Sequence, residues 1–347
     1  MQIEQAFAEL LSRLPIVVLF LIIAAAIYVL ARSADLLVDE AVTLSLHWGV
    51  PKSMIGATIV SLGTTLPEAA VSVMSAVAGF PGLALGNAVG SIIADTGLIL
   101  GLAVLLGPVP VDRSVMNRQG WIKIAAGIGI VVAALPYGNL QGVFTEGGRI
   151  PQFVGFLLLA CLVLYVWRSI RTSRGVTADS EIIEHAQEEA NQSTIWVFGK
   201  LIIGIVGVVV SSRILIPTVQ ETAMRLNIPD AIIAATLVAF GTSLPELVTA
   251  VTAVRKGHGE IALGNIIGAD ILNVLFVTGA AAAVTSGGLK APPYFFLIGF
   301  PTMLVLLAVF RVGLSASQKQ LSKGFGILLL ALYVAGTVLS YFGPATS

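Results

Sequence analysis

Gly63-Thr64-Thr65-Leu66-Pro67-Glu68 puts a carboxylate, two hydroxyls and a proline within about one and a half helical turns, and Gly241-Thr242-Ser243-Leu244-Pro245-Glu246 repeats the arrangement. Thr64 and Glu68 are four apart, so in a helix they share a face. Pro67 has no N–H to donate, and its ring clashes with the carbonyl four residues back, that of Gly63. Glycine loosens the same turn. The motif predicts an interrupted helix whose freed carbonyl oxygens face a cavity. Further along, Ser91 and Asp95 are again four apart, and Ala269 and Asn273 stand at the corresponding places of the second copy. The donors are carboxylates, hydroxyls, an amide and backbone carbonyls, without sulfur or imidazole. Such a set suits a hard cation. Ca2+ takes about 6–8 oxygens and accepts irregular geometry, whereas Mg2+ demands a stricter octahedron.

The elements that must position these groups are membrane helices. The chain is 56% hydrophobic and 11% charged, with a mean hydropathy of +0.96; a soluble domain carries about 25% charged residues. A spanning helix needs about 20 mostly apolar residues. Ten candidates are read, at about 15–46, 50–78, 82–107, 120–137, 150–168, 195–226, 229–254, 259–284, 293–311 and 323–342. The polar stretch 169–194 is read as a cytoplasmic linker between a first five-helix repeat, 1–168, and a second, 195–347. The apolar run 15–31 is preceded by Glu4, Glu9 and Arg13, not by the positive stretch of a signal peptide, and is read as a retained helix.

A shift of 178 residues aligns 56–101 with 234–279 without a gap, identical at 17 of 46 positions. The identities include Gly63/Gly241, Thr64/Thr242, Leu66/Leu244, Pro67/Pro245, Glu68/Glu246, Gly86/Gly264, Asn87/Asn265 and Gly90/Gly268. Hydrophobicity alone does not account for matched Gly, Pro, Asn and Glu. The copies fall on spans 2–3 and 7–8, and an offset of five spans makes the halves antiparallel. The expected fold is therefore all-α and polytopic: ten transmembrane helices as two inverted five-helix repeats, with helices 2 and 7 broken. Secondary transporters of this kind bind their cargo near the midplane. Thirteen Lys and Arg fall in one set of loops and four in the other, which places both termini outside.

Glu68, Asp95 and Glu246 at membrane depth each cost at least ~2.5–3.5 kcal/mol. No Lys or Arg lies near them in sequence. A divalent cation, several Na+ or protons would neutralise them, so protons and cations are expected to compete for these carboxylates.

The duplicated G-T-[TS]-L-P-E blocks, each with G-N-x-x-G downstream, resemble the α-repeats of the cation/Ca2+ antiporter superfamily, especially prokaryotic Na+/Ca2+ exchangers. The resemblance extends over essentially the whole chain. It implies that Glu68 and Glu246 coordinate Ca2+ with the carbonyls of Thr64 and Thr242. It implies Na+ ligands at Thr65, Ser91 and Ser243 and at the carbonyls of Ser61 and Ala239, and a central pair at Asp95 and Asn273. Two departures stand out. Asp and Asn are exchanged between the halves relative to the family pattern, with total charge kept. A serine expected as an Na+ ligand is Ala269, which puts a three-Na+ stoichiometry in question. Asn273, where K+-dependent relatives carry Asp, argues against K+ transport.

The implied function is antiport of Ca2+ against Na+ by alternating access, with Ca2+/H+ antiport through the same carboxylates as the alternative, in a prokaryotic inner membrane. No cofactor, nucleic acid or obligatory protein partner is expected; the partners are the ions and the bilayer. A passive channel fits duplicated broken helices less well. An intramembrane hydrolase would need a Ser–His or Asp–Asp pair at membrane depth, and His47, His185 and His258 are read in or near loops. Cys161, the single cysteine, excludes an intrachain disulfide. Asp270, whose counterpart is Ile92, is read as structural or at a cavity edge. Asn87 and Asn265 are read as bonding freed backbone. Asp35, Asp39 and Glu40 are read at the inner end of helix 1, solvated or gating.

Overall fold

The computed structural model describes residues 2–173, 193–226 and 242–342. These are predominantly helical. Helix α1 (Gln2–Arg13) precedes α2 (Ile16–Trp48), and a chain break in helicity at Pro15 separates them. Then come α3 (Lys52–Thr64), α4 (Leu66–Val77), α5 (Pro81–Leu106), α6 (Arg113–Ala134), β1 (Gly148–Ile150) and α7 (Gln152–Ser173). The second part holds α8 (Thr194–Arg225), α9 (Leu244–Arg255), α10 (Gly259–Val284), β2 (Leu289–Ala291), α11 (Phe295–Ala316) and α12 (Lys323–Phe342). Among the described residues seven helices are long and apolar enough to cross a bilayer, or eight if the bent pair α3–α4 is one span. The chain is a membrane protein, and its lipid-facing surface carries side chains such as Ile195, Val163 and Phe153 fully out of the core.

The repeat is written into the element boundaries. A shift of 178 carries the start of α2 from 16 to 194, that of α4 from 66 to 244 and that of α5 from 81 to 259, the starts of α8, α9 and α10. Helices α2 and α8 pack against each other along their lengths. α10 is buried on nearly every side and forms the centre of the molecule. Its close approach to α3 depends on Gly264 and Gly268, where a Cβ would collide with the Ser53 and Ala57 carbonyls, the small-residue packing that membrane helices favour.

Several features depart from the sequence reading. The all-α expectation misses a small antiparallel pair, β1 with β2, in register Arg149 to Lys290. It also misses α1, which Arg225 of α8 ties down by donating to the Leu11, Ser12 and Leu14 carbonyls. The fourth span begins earlier than read, at Arg113, and Lys123, counted with the loop charges although it falls within the span read at 120–137, lies inside α6 and is 1% exposed. Of the seventh span only α9 falls among the described residues. Gly241, Ala239 and His185 lie outside them.

Candidate ion-binding site

The first motif breaks its helix where the sequence predicts. α3 ends at Thr64, Thr65 caps α4, and the two axes meet at 42°. Pro67 occupies the first turn of α4, a position that costs no helical hydrogen bond within α4 but leaves the Gly63 carbonyl without its usual donor. α9 starts in the same way, with Ser243 as cap and Pro245 in the first turn. Both glutamates therefore sit one residue after the proline, in the first turn of a helix, where backbone N–H groups have no helical acceptor.

The helices around the break are also distorted. Gly56–Val60 in α3, Ala94–Ile99 in α5 and Asn273–Thr278 in α10 are wound as wider π turns. The last two overlap at all but one position under the 178 shift, and they contain Asp95 and Asn273. Such turns recur at functional sites because they push a side chain out of helical register. Tyr165 of α7 supports the α3 turn by donating to the Ala57 carbonyl at 3.0 Å.

Tertiary packing brings the two motifs together. Glu68, Asp95 and Glu246 are each 1% exposed and are mutual electrostatic neighbours. Thr64 and Thr65 lie beside Glu246, and Thr242 lies beside Glu68. Thr242 also donates to Asn87 Oδ1 at 3.1 Å and meets Ser91 Oγ at 3.5 Å. Asn87 in turn donates to the Glu68 carbonyl at 3.2 Å and to Ser72 Oγ at 3.0 Å, the backbone role expected of it. Asn265 instead accepts from Thr64 at 3.4 Å.

Seven buried oxygens here have no hydrogen-bond partner among the described residues: both of Glu68, both of Asp95, Glu246 Oε2, Thr65 Oγ1 and Asn273 Oδ1. Buried polar groups are ordinarily paired, and each orphan calls for an explanation. All seven can accept from or ligate a cation. Among the described residues no three Asp, Glu, His or Cys side chains converge tightly enough to hold a metal by themselves. The Ser61 carbonyl accepts from Thr65 N at 2.9 Å and from Thr64 Oγ1 at 3.3 Å, and Ser243 is buried at the cap with its carbonyl bonded to Leu247 N. Ala269 is buried.

The sequence reading missed that two cations, Lys123 and Arg213, reach the site. Lys123 Nζ of α6 lies 2.6 Å from Asp270 Oδ2, as a charge contact without an aligned hydrogen bond, and 3.9 Å over the Phe310 ring. The same Asp270 oxygen accepts from Thr96 at 2.6 Å, and Asp270 neighbours Asp95. Asp270 thus belongs to a buried ion pair at the edge of the site. Arg213 of α8 donates to the Pro67 carbonyl at 3.2 Å and neighbours Glu68. A charged residue inside an apolar span is the signal that could have found Lys123.

A cavity of about 520 Å³ reaches the motifs from one face, lined by Pro67, Thr242, Pro245, Arg213, Pro217 and Phe7. At the other end of α2 the acids are tied down: Lys256 contacts Asp39 at 2.8 Å and Asp35 at 3.5 Å, and Lys200 contacts Glu40 at 3.1 Å. His258 is half-buried and 3.2 Å from Lys52 Nζ; burial and the Lys52 charge hold its pKa below the ordinary value.

Residues 18–171 and 196–342 match the family described as sodium/calcium exchanger protein. The chain belongs to the sodium/calcium exchanger family. Among its relatives in that family, an uncharacterized membrane protein of Methanocaldococcus jannaschii is 32% identical over 83% of this chain and 86% of its own length. The sodium/calcium exchanger MaX1 of Methanosarcina acetivorans is 28% identical over 94% of this chain and 99% of its own length. The inner membrane protein YrbG of Escherichia coli is 32% identical over 89% and 93%. The fold matches that of the sodium-calcium exchanger NCX_Mj with a TM-score of 0.77, at 24% identity, over 93% of this chain and 99% of that one. Within the exchanger family, then, the duplicated motif, the π turns and the orphaned oxygens coincide in one buried place.

Proposed function

We propose that this exchanger-family chain is a secondary antiporter that moves Ca2+ against Na+ by alternating access. It would do so as ten spans in two inverted five-helix repeats, residues 1–168 and 195–347 about a linker at 169–194, in an inner membrane with both termini outside. α6 and the completed helix of α9 would be the ninth and tenth spans. The observation that carries the reading is the group of seven buried, unpartnered oxygens where the two motifs meet. Unpaired, they are costly; a hard cation repays that cost.

In this reading Ca2+ lies between Glu68 and Glu246, with the Thr64 and Thr242 carbonyls completing its shell. Na+ ions replace it on Thr65, Ser91, Ser243 and the Ser61 and Ala239 carbonyls, with Asp95 and Asn273 between. The cavity beside Arg213 is the path from the outer face, and the Lys256 and Lys200 ion pairs close the inner ends of α2 and α8. The resemblance to MaX1 supports Na+ as the counter-ion. Proton-driven exchange is the second reading, favoured by the methyl of Ala269 where a hydroxyl would hold Na+; a relative from Alkalimonas amylolytica, 28% identical over 87% of the chain, is a putative antiporter. The test is Ca2+ uptake into liposomes of purified protein under imposed Na+, K+ or pH gradients. Uptake driven by Na+ and not by K+ is expected. Uptake driven by pH alone supports the second reading, and no gradient-driven uptake overturns both.

A further inference from the structure

Helices α6 and α7 each pack against α10, and the gap between them is a groove of about 530 Å³ with Leu275 in its floor. Arg118 and Arg168 stand at one end with Tyr165 and Ser169; the rest of the lining is apolar, with no acidic side chain among the described residues. From Arg118 to Gly129 the groove follows eleven residue steps of α6, about 16 Å at 1.5 Å per residue. Half of a hydrocarbon core is about 15 Å, so the groove spans one leaflet.

The depth of its charged end is marked independently. Trp121 and Trp167 are 58% and 53% exposed next to that end. Each carries a stacked arginine, Arg311 at 4.6 Å and Arg171 at 5.3 Å. Exposed tryptophans with cations collect at the level of lipid headgroups. A cationic mouth at headgroup level above an apolar slot one leaflet deep fits one class of ligand.

We propose that the α6–α7 groove binds an anionic phospholipid, its phosphate held at Arg118 and Arg168 and an acyl chain laid along the slot over Leu275. Tyr165, whose hydroxyl donates inward to the Ala57 carbonyl, and Ser169 are buried and form the wall behind the two arginines. Recognition of this kind, basic pockets between membrane helices, is known in chemical outline. The proposal concerns lipid binding and stands independently of which ions the protein moves.

Native mass spectrometry of the intact protein, equilibrated with equal amounts of phosphatidylglycerol and phosphatidylcholine, tests it. Cys161, the only cysteine, lines the groove and is exposed, so alkylating it with a bulky apolar maleimide plugs the slot in otherwise native protein. The expected result is retained phosphatidylglycerol favoured roughly thirtyfold, about fivefold for each arginine. Cys161 alkylation should expel that lipid, and Arg118→Gln with Arg168→Gln should erase the preference. Lys319→Gln with Lys323→Gln, exposed cations outside the groove, should keep it. Equal retention of both lipids, retention indifferent to Cys161 alkylation, or equal loss in the Lys319/Lys323 variant overturns the proposal. If the double arginine variant does not fold, the alkylation arm decides alone.

Discussion

The Thr242 hydroxyl donates to Asn87 Oδ1 at 3.1 Å, joining the second motif to the helix that follows the first. Its counterpart is present too: Thr64 of the first motif donates to Asn265 at 3.4 Å. Each pair maps onto the other under the shift of 178. The two asparagines differ in what their amide nitrogens do. Asn87 Nδ2 bonds the Glu68 carbonyl and Ser72, whereas Asn265 Nδ2 has no partner among the described residues. The reason is visible in sequence, since Ala250 stands where Ser72 has its counterpart.

This asymmetry predicts unequal costs. Asn87→Ala strands the Thr242 hydroxyl and frees the Glu68 carbonyl, for a loss of about 1–3 kcal/mol. Asn265→Ala should cost less. Thermal unfolding in detergent compares the two, and a larger loss for Asn265 would contradict the bonding scheme.

Glu68→Gln and Glu246→Gln should each abolish Ca2+ flux in liposomes while leaving a folded protein, because each removes charge but little volume. Near wild-type flux in either variant would remove that glutamate from the site.

Pro67→Ala restores an N–H toward the Gly63 carbonyl and should let α3 run into α4, straightening the 42° bend. Transport should fall with stability unchanged or raised, since the healed break regains a backbone hydrogen bond to Gly63. Pro245→Ala should behave alike. Unimpaired flux in both would show that the breaks do not build the site.

Lys123→Met leaves Asp270 charged and buried and should destabilise by about 3–5 kcal/mol. Lys123→Met with Asp270→Asn removes both charges and should recover most of that loss. Denaturant or thermal melts of the three proteins form the cycle, and additive losses would mean that the 2.6 Å contact is energetically idle.

Ala269→Ser places a hydroxyl one turn before Asn273. Na+ titration of Ca2+ flux should become more cooperative, with Ca2+ affinity little changed. Superimposable titration curves would mean that water or Asn273 already completes the position.

Much was determined by the chain alone. Intramembrane acids beside prolines, repeated at a spacing of 178, mark Glu68, Glu246 and the helix break after Thr64, because proline's missing N–H and the cost of charge in lipid are local facts. The same spacing fixes the matching starts of α2 and α8, α4 and α9, α5 and α10. Only tertiary structure decided who meets whom. Thr242 turns to Asn87, Lys123 reaches Asp270 from α6 across 147 positions, and Arg213 reaches the Pro67 carbonyl from α8. Helical periodicity tells which residues share a face but not which face of another helix it will find. A buried lysine reads as a loop charge until the partner that neutralises it, distant in sequence, is packed against it.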